Sequence, residues 1–242
     1  MRILVVGAGA VGGYFGGRLA EAGRDVTFLV RERRARQLAM GGLQIVSPHG
    51  HFAFIPNMVQ KEQGKSTNGY GAILLAVKGY ALDGAIEDLA PLMDEDSVII
   101  PLLNGMQHLD MLRKRLGTPT VFGRVAHLMS TLDENARIRH LSKIHEIRYG
   151  PLDGVPSCAL DRVDDALRGS GFDAVKSLTI MQEVRRRLAQ VGRLGGPSGP
   201  SPRSCTAGAG CPRRALQTLL SLDTARADTS AANFRPRIEV ER

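Results

Sequence analysis

Gly7, Ala8, Gly9, Ala10, Val11 and Gly12 follow directly on the apolar run RILVVG and open a stretch of small and apolar residues at helical spacing over 10–22. A G-x-G-x-x-G between a buried strand and a helix has a definite chemistry. Gly7 allows the tight turn, Gly9 lets bare backbone approach a pyrophosphate, and Gly12 admits close helix packing. The helix N-terminus then offers amide donors and partial positive charge to the phosphates. The bland alternative is a glycine turn that holds no ligand.

A second strand, DVTFLV (25–30), completes a βαβ unit and runs into Arg31, Glu32, Arg33, Arg34 and Arg36. An acid at the close of this strand would accept from the ribose hydroxyls of NAD, whereas arginine there suits the 2′-phosphate of NADP. Arg31 stands in that place, so NADP(H) is the expected cofactor, with guanidinium groups pairing the phosphate bidentately. The competing reading is that Arg33, Arg34 and Arg36 only solvate a helix start. Lys78 follows AILLAV (72–77) and Asn104-Gly105 follows SVIIPLL (97–103), both at C-terminal strand ends, where ligands sit in open α/β sheets. Each can reach the nicotinamide end of a cofactor or a substrate carboxylate; each alone could equally be a loop residue.

The elements that must position these groups alternate. LQIVSPHGHFAFIP (43–56) reads as a hairpin or bent strand, 82–92 and 107–116 as helices, and 120–128 as another strand. Residues 129–150 suit an antiparallel ribbon, followed by a helix near 161–167, a short strand over 172–177 and a helix from 178 to 188. The fold class is therefore α/β, a doubly wound parallel sheet over 1–178, with 179–191 starting a helical region. From Gly192 the chain is rich in Arg, Gly, Pro, Ala and Ser, and 192–242 is expected to be a basic low-complexity tail, with one isolated helix over 215–222.

Composition excludes several classes. The net charge of +8 is not a property of the body: residues 1–183 hold 21 basic and 20 acidic side chains, and 184–242 hold 11 and 4. A near-neutral body gives no electrostatic reason to expect nucleic acid or anionic lipid as a partner, and the tail lacks interleaved aromatics. Cys158, Cys205 and Cys211 form no disulfide framework or CxxC pair, and no stretch has the length of a signal-peptide core or membrane span, so a cytoplasmic protein is expected. His49, His51, His127, His140 and His145 lack metal-ligand spacing, so no metal is expected. GxSxG and HExxH motifs are absent.

GAGAVGG, Arg31, LLAVKGY with Lys78, PLLNGM with Asn104 and VAHLMSTLDENARIRHL together resemble the ketopantoate reductases (2-dehydropantoate 2-reductases) over residues 1 to about 183. The resemblance implies a Rossmann-like domain joined to a helical C-terminal domain, with NADPH and a small 2-keto acid between them. It implies hydride transfer to 2-dehydropantoate to give pantoate for pantothenate synthesis. Gly7 to Gly12 would cradle the pyrophosphate, Arg31 meet the 2′-phosphate, Lys78 lie by the cofactor, and Asn104 touch cofactor and substrate. The family's general-acid lysine has Arg187 in its place here. Arginine stabilises negative charge but does not readily release a proton, since its pKa exceeds ~12. The family's substrate-gripping residues have no match after 190, so the helical region is expected to be truncated or aberrant, as in a frame-shifted reading of a GC-rich gene. The alternative function is an NADP-binding module that lacks the substrate half.

Overall fold

A strand that is apolar at every position needs cover on both faces, and Ile3–Val6 (β1) has it. Ile3 and Val5 join one core cluster while Leu4 and Val6 join the other. The computed structural model describes residues 1–60, 69–116 and 120–194. The elements run β1, α1 (Ala10–Glu21), β2 (Val26–Leu29), α2 (Glu32–Gly41), β3 (Leu43–Val46), β4 (Phe52–Phe54), β5 (Asn57–Val59) and β6 (Ala72–Leu75). A single 3₁₀ turn leads into α3 (Leu82–Leu89), followed by β7 (Val98–Pro101), α4 (Gln107–Leu116), β8 (Thr120–Leu132), β9 (Ile138–Pro151), α5 (Cys158–Leu167), β10 (Asp173–Lys176) and α6 (Ile180–Leu194). Met1–Arg193 forms one compact unit; apart from Leu194 the second unit, Leu194–Arg242, lies outside the described residues, and with it the expected helix over 215–222 and most of the expected tail.

The strands form one sheet in the order β4-β3-β9-β8-β7-β6-β1-β2-β5, with β10 beside β9. From β5 to β8 every pairing is parallel. Helices α1 and α5 pack on the face of Ile3 and Val5, and α3 and α4 on the face of Leu4 and Val6, so the sheet is doubly wound as expected. Two features go beyond the expectation. β8 is not a separate strand followed by a ribbon: it pairs parallel with β7 through Thr120 and Val121, then continues as the antiparallel partner of β9. β5, which extends the sheet beyond β2, gives no signal of its own, being three residues long and preceded by Pro56.

The chain path requires the sheet to curl. β4 and β5 stand at opposite ends of the strand order, yet only Ile55 and Pro56 separate them. Three Cα steps span at most about 11 Å. Phe54 of β4 accordingly packs against Phe28 of β2 with ring centroids 6.4 Å apart.

Helix α6 is longer than the sequence pattern implied, continuing through Gly192 to Leu194. Its first turn is held by Glu183, whose carboxylate accepts from Ser177 Oγ (2.6 Å) and Arg148 Nε (2.5 Å). Ile180 and Val184 then pack on Val125. Helix α5 is capped by Ser157, whose Oγ accepts from the Leu160 amide at 3.2 Å. Across from α5, the buried Tyr149 of β9 donates to Asp164 Oδ1 at 2.8 Å. Burial alone would raise the Asp164 pKa, but the hydrogen bonds from Tyr149 and Arg168 and the charges of Arg168 and Lys176 hold it below the usual carboxylate range.

Tyr149→Phe leaves that buried carboxylate short of one donor. It should destabilise the protein by about 1.5–3 kcal/mol, read as a lower urea midpoint at constant m-value. An unchanged midpoint would show that the bond contributes nothing.

Candidate functional site: a glycine-lined cleft at the strand ends

The three fingerprint glycines each meet a different physical demand. Gly7 has φ +96°, its amide donates to the Leu29 carbonyl at 2.9 Å, and a Cβ there would stand 2.9 Å from the Ala76 carbonyl oxygen. A Cβ on Gly12 would run into the Gly7 carbonyl oxygen and Ala76 Cβ. Gly9 has open space where its Cβ would be, and as N-cap of α1 it supplies no side-chain acceptor. The first-turn amides of α1 are thus left for a ligand, at the positive end of the helix dipole.

Gly7 and Gly9, with Ala8 between them, form one wall of a cleft of about 1130 Å³ at the C-terminal ends of β1, β2 and β6. The chain runs outward from β1 to β2 and β5 in one direction and from β6 to β7 and β8 in the other. This reversal is where ligands bind in open α/β sheets. Gly7, Ala8, Gly9, Arg31 and Lys78 all line the cleft. Ala10, Val11 and Gly12 belong to the helix behind the loop and do not line it. Exposed Lys78 immediately precedes the 3₁₀ turn Gly79–Ala81, and Tyr80 of that turn adds an exposed ring to the wall.

The arginine cluster divides by role. Arg34 reaches back across the loop, donating from Nε to the Ala8 carbonyl (3.0 Å) and from its terminal nitrogens to the Ala136 carbonyl (3.4 Å), and burial lowers its pKa. Arg36 pairs with Glu32 one turn away on exposed α2. Arg36 thus lies with an ion pair on the helix surface, whereas Arg34 lines the cleft while bonded to backbone carbonyls. Arg31, whose backbone N-caps α2, and Arg33 line the cleft without an ion pair among the described residues.

Asn104 is exposed beyond the end of β7, beside Gly105 with φ +92°, and is not among the residues lining the cleft. Two groups that the sequence did not single out, Arg124 and His108, lie near the end of the same strand or follow it in the chain. Arg124 of β8 donates from Nε to the Pro101 carbonyl at 2.9 Å. Burial and then the charge of Arg187 bring Arg124 down to about 10, and burial together with Arg124 pushes His108 down to about 4. Arg187 is exposed on α6, one turn after Val184.

A third grouping also escaped the sequence. His49, His140 and His145 come together, with every candidate ligand atom within 4.8 Å of the others. His49 stacks on His145 (centroids 3.7 Å, planes 19° apart), and His140 is nearly parallel to both. One ion cannot lie in the lone-pair planes of rings stacked face to face, so this arrangement is not a coordination sphere. Hydrogen bonds hold the rings instead: Tyr14 hydroxyl to His145 Nδ1 (2.7 Å), Ser47 Oγ to His140 Nδ1 (3.0 Å) and His49 Nε2 to the Lys143 carbonyl (2.9 Å). Burial first, then neighbouring cationic groups including Arg18, lower the pKa of His140 and His145.

His108, His140 and His145 all have folded-state pKa values below the ordinary value of about 6.5, so the unfolded chain takes up protons first as pH falls. Their stabilising contribution is complete above about pH 6.5 and is lost below it, down to about 4 for His108. Urea unfolding should show a loss on the order of 2 kcal/mol attributable to His108 between pH 7.5 and 4.5, and His108→Gln should flatten that slope. A slope unchanged in the variant would refute the assignment.

Comparison with known proteins locates the chain. The family model described as "Ketopantoate reductase PanE/ApbA" matches residues 3–154. "Uncharacterized oxidoreductase YkpB" of Bacillus subtilis (strain 168) is 37% identical over 187 residues, covering 77% of this chain and 61% of that protein. A 2-dehydropantoate 2-reductase of Mesorhizobium japonicum is 30% identical over 108 residues, covering 44% of this chain and 32% of its own length. The crystal structure of 2-dehydropantoate 2-reductase from Geobacter metallireducens GS-15 superposes with a TM-score of 0.70 at 27% identity, covering 78% of this chain and 62% of that one. The chain thus spans less than two thirds of the length of these relatives. Among the described residues no helix is long and apolar enough to cross a membrane.

Proposed function

Because the chain belongs to the ketopantoate reductase PanE/ApbA family, we propose that it binds NADPH and reduces a small 2-keto acid, 2-dehydropantoate to pantoate. The observation that carries this reading is the cleft itself: a side-chain-free helix N-terminus faces it, and Arg31 and Arg33 line it without a carboxylate partner among the described residues. Relatives bearing the name 2-dehydropantoate 2-reductase support the choice of substrate.

When bound, NADPH would supply the hydride taken by the keto carbon and leave as NADP+, and with no lysine at the Arg187 position the proton for the keto oxygen would come from solvent. The chain's own part is binding and charge. Amides of the Gly7 to Gly12 loop hold the pyrophosphate, and Arg31, with Arg33 beside it, pairs with the 2′-phosphate. Lys78 sets a positive charge on the cleft wall, and the Asn104 side chain offers both donor and acceptor to cofactor and keto acid. Arg187 stabilises negative charge on the substrate but is a poor proton donor. That replacement favours one second reading, a chain that takes up NADPH without turning it over.

Fluorescence titration of the full chain should show NADPH uptake with preference over NADH. Arg31→Ala should weaken NADPH about 10- to 100-fold while leaving NADH nearly unchanged. Equal affinities in the unaltered protein would remove the basis for phosphate selection. Loss of NADPH absorbance that depends on 2-dehydropantoate, and falls in Asn104→Ala, supports the reductase; uptake without such loss supports the second reading.

A further inference from the structure

Several arginines of the sheet and its flanking turns and helices have acidic partners. Arg148 pairs with Glu183 and Glu146, Arg168 with Asp164, and Arg137 with Asp133. Arg124 does not. It is half-buried, its Nε is spent on the Pro101 carbonyl, and among the described residues no carboxylate meets its two terminal nitrogens. A buried charge without a counter-charge is costly, and a further cation beside it makes it more so.

The fold nevertheless brings cations together here. Met106 from the loop after β7, Val125 of β8 and Ile180, Met181 and Val184 of α6 form one small apolar cluster. That cluster fixes three elements against one another, and Arg187 follows Val184 by one helical turn. Arg187 also lacks an ion pair among the described residues, and it acts electrostatically on Arg124. Burial first and then Arg124 lower the pKa of buried His108, so it is neutral at pH 7 and adds no further positive charge. Through Pro101 the corner adjoins the C-terminal end of β7, three residues before Asn104 in the chain.

We propose that Arg124 and Arg187 form an anion subsite that holds the carboxylate of a small 2-keto acid beside Asn104. The assignment of the ligand as a 2-keto acid rests on the function proposed above; the demand for an anion rests on the two guanidinium groups alone. A planar guanidinium fork matches a carboxylate bidentately, which lysine does not. The subsite accordingly selects keto acids over neutral ketones and aldehydes of the same size.

Calorimetric titration of the full chain with oxalate, a dicarboxylate that cannot be reduced by hydride, reads the subsite without turnover. Oxalate should bind in the absence of cofactor, and Arg124→Gln and Arg187→Gln should each weaken it about tenfold or more. Arg124→Lys should recover only part of the loss, and NADPH affinity should stay unchanged in all three variants. Should Arg124→Gln fail to fold, Arg187→Gln, altered at an exposed position, decides alone. No oxalate binding, or equal binding in Arg187→Gln, overturns the subsite even where NADPH is taken up. Failure to take up NADPH, with oxalate binding that still depends on both arginines, overturns the cofactor reading and leaves the subsite standing.

Discussion

A Cβ at Gly13, Gly16 or Gly17 of α1 would press against Ile138, Phe28 or Ile45, and one at Gly12 would meet the loop carbonyl of Gly7 itself. The helix therefore lies closer to the sheet than any run of larger residues permits, and it lies across strands β1, β2, β3 and β9 at once. Glycine in a helix interior costs roughly 0.5–1 kcal/mol apiece relative to alanine. The cost is offset by burial of Tyr14, Phe15 and Leu19 on the same helix. Because α1 is seated this deeply, its first turn packs directly on the Gly7 carbonyl and on Ala76, and the glycine loop has a fixed floor. The cleft depends on that seating.

Charge is distributed over this frame by the same logic of space. Arg18, fully buried in α1, is neutralised by Glu21 and donates to the Gly50 carbonyl at 2.8 Å. Arg34 is a tie that fastens α2 to the nucleotide loop and to the turn between β8 and β9. Arg31 and Arg33, a few residues away on the same helix start, have no such employment and face the cleft. Identical side chains in one short stretch thus differ in their bonds: Arg34 is tied to backbone carbonyls, while Arg31 and Arg33 have no ion pair among the described residues.

The parts of this arrangement that were legible in the sequence are the local ones. The strand, glycine turn and helix of residues 3–21 announce themselves because each demand falls on neighbouring residues. The helix at Gln107–Leu116 and the hairpin of β3 and β4 follow from spacing in the same way. What the sequence could not apportion was the arginine cluster, since whether a guanidinium is free depends on carbonyls as distant as Ala136. Asn104 was placed by the sequence just past a strand end, and the fold has it there, beyond β7. Arg124 and the three stacked histidines were invisible because their meaning lies in neighbours distant in sequence, as with the Tyr14 to His145 and Tyr149 to Asp164 contacts, which span 131 and 15 residues.

The curl of the sheet has a consequence for how copies of this chain meet one another. An open sheet ends in two rows of unsatisfied amides and carbonyls, each a template on which a foreign strand can add. Here both terminal strands are three residues long, and the two-residue link between them draws those margins toward each other. What would be two long borders at the ends of the strand order is reduced to a pair of stubs drawn together by a two-residue link, which leaves little backbone there for a strand of another copy to pair with.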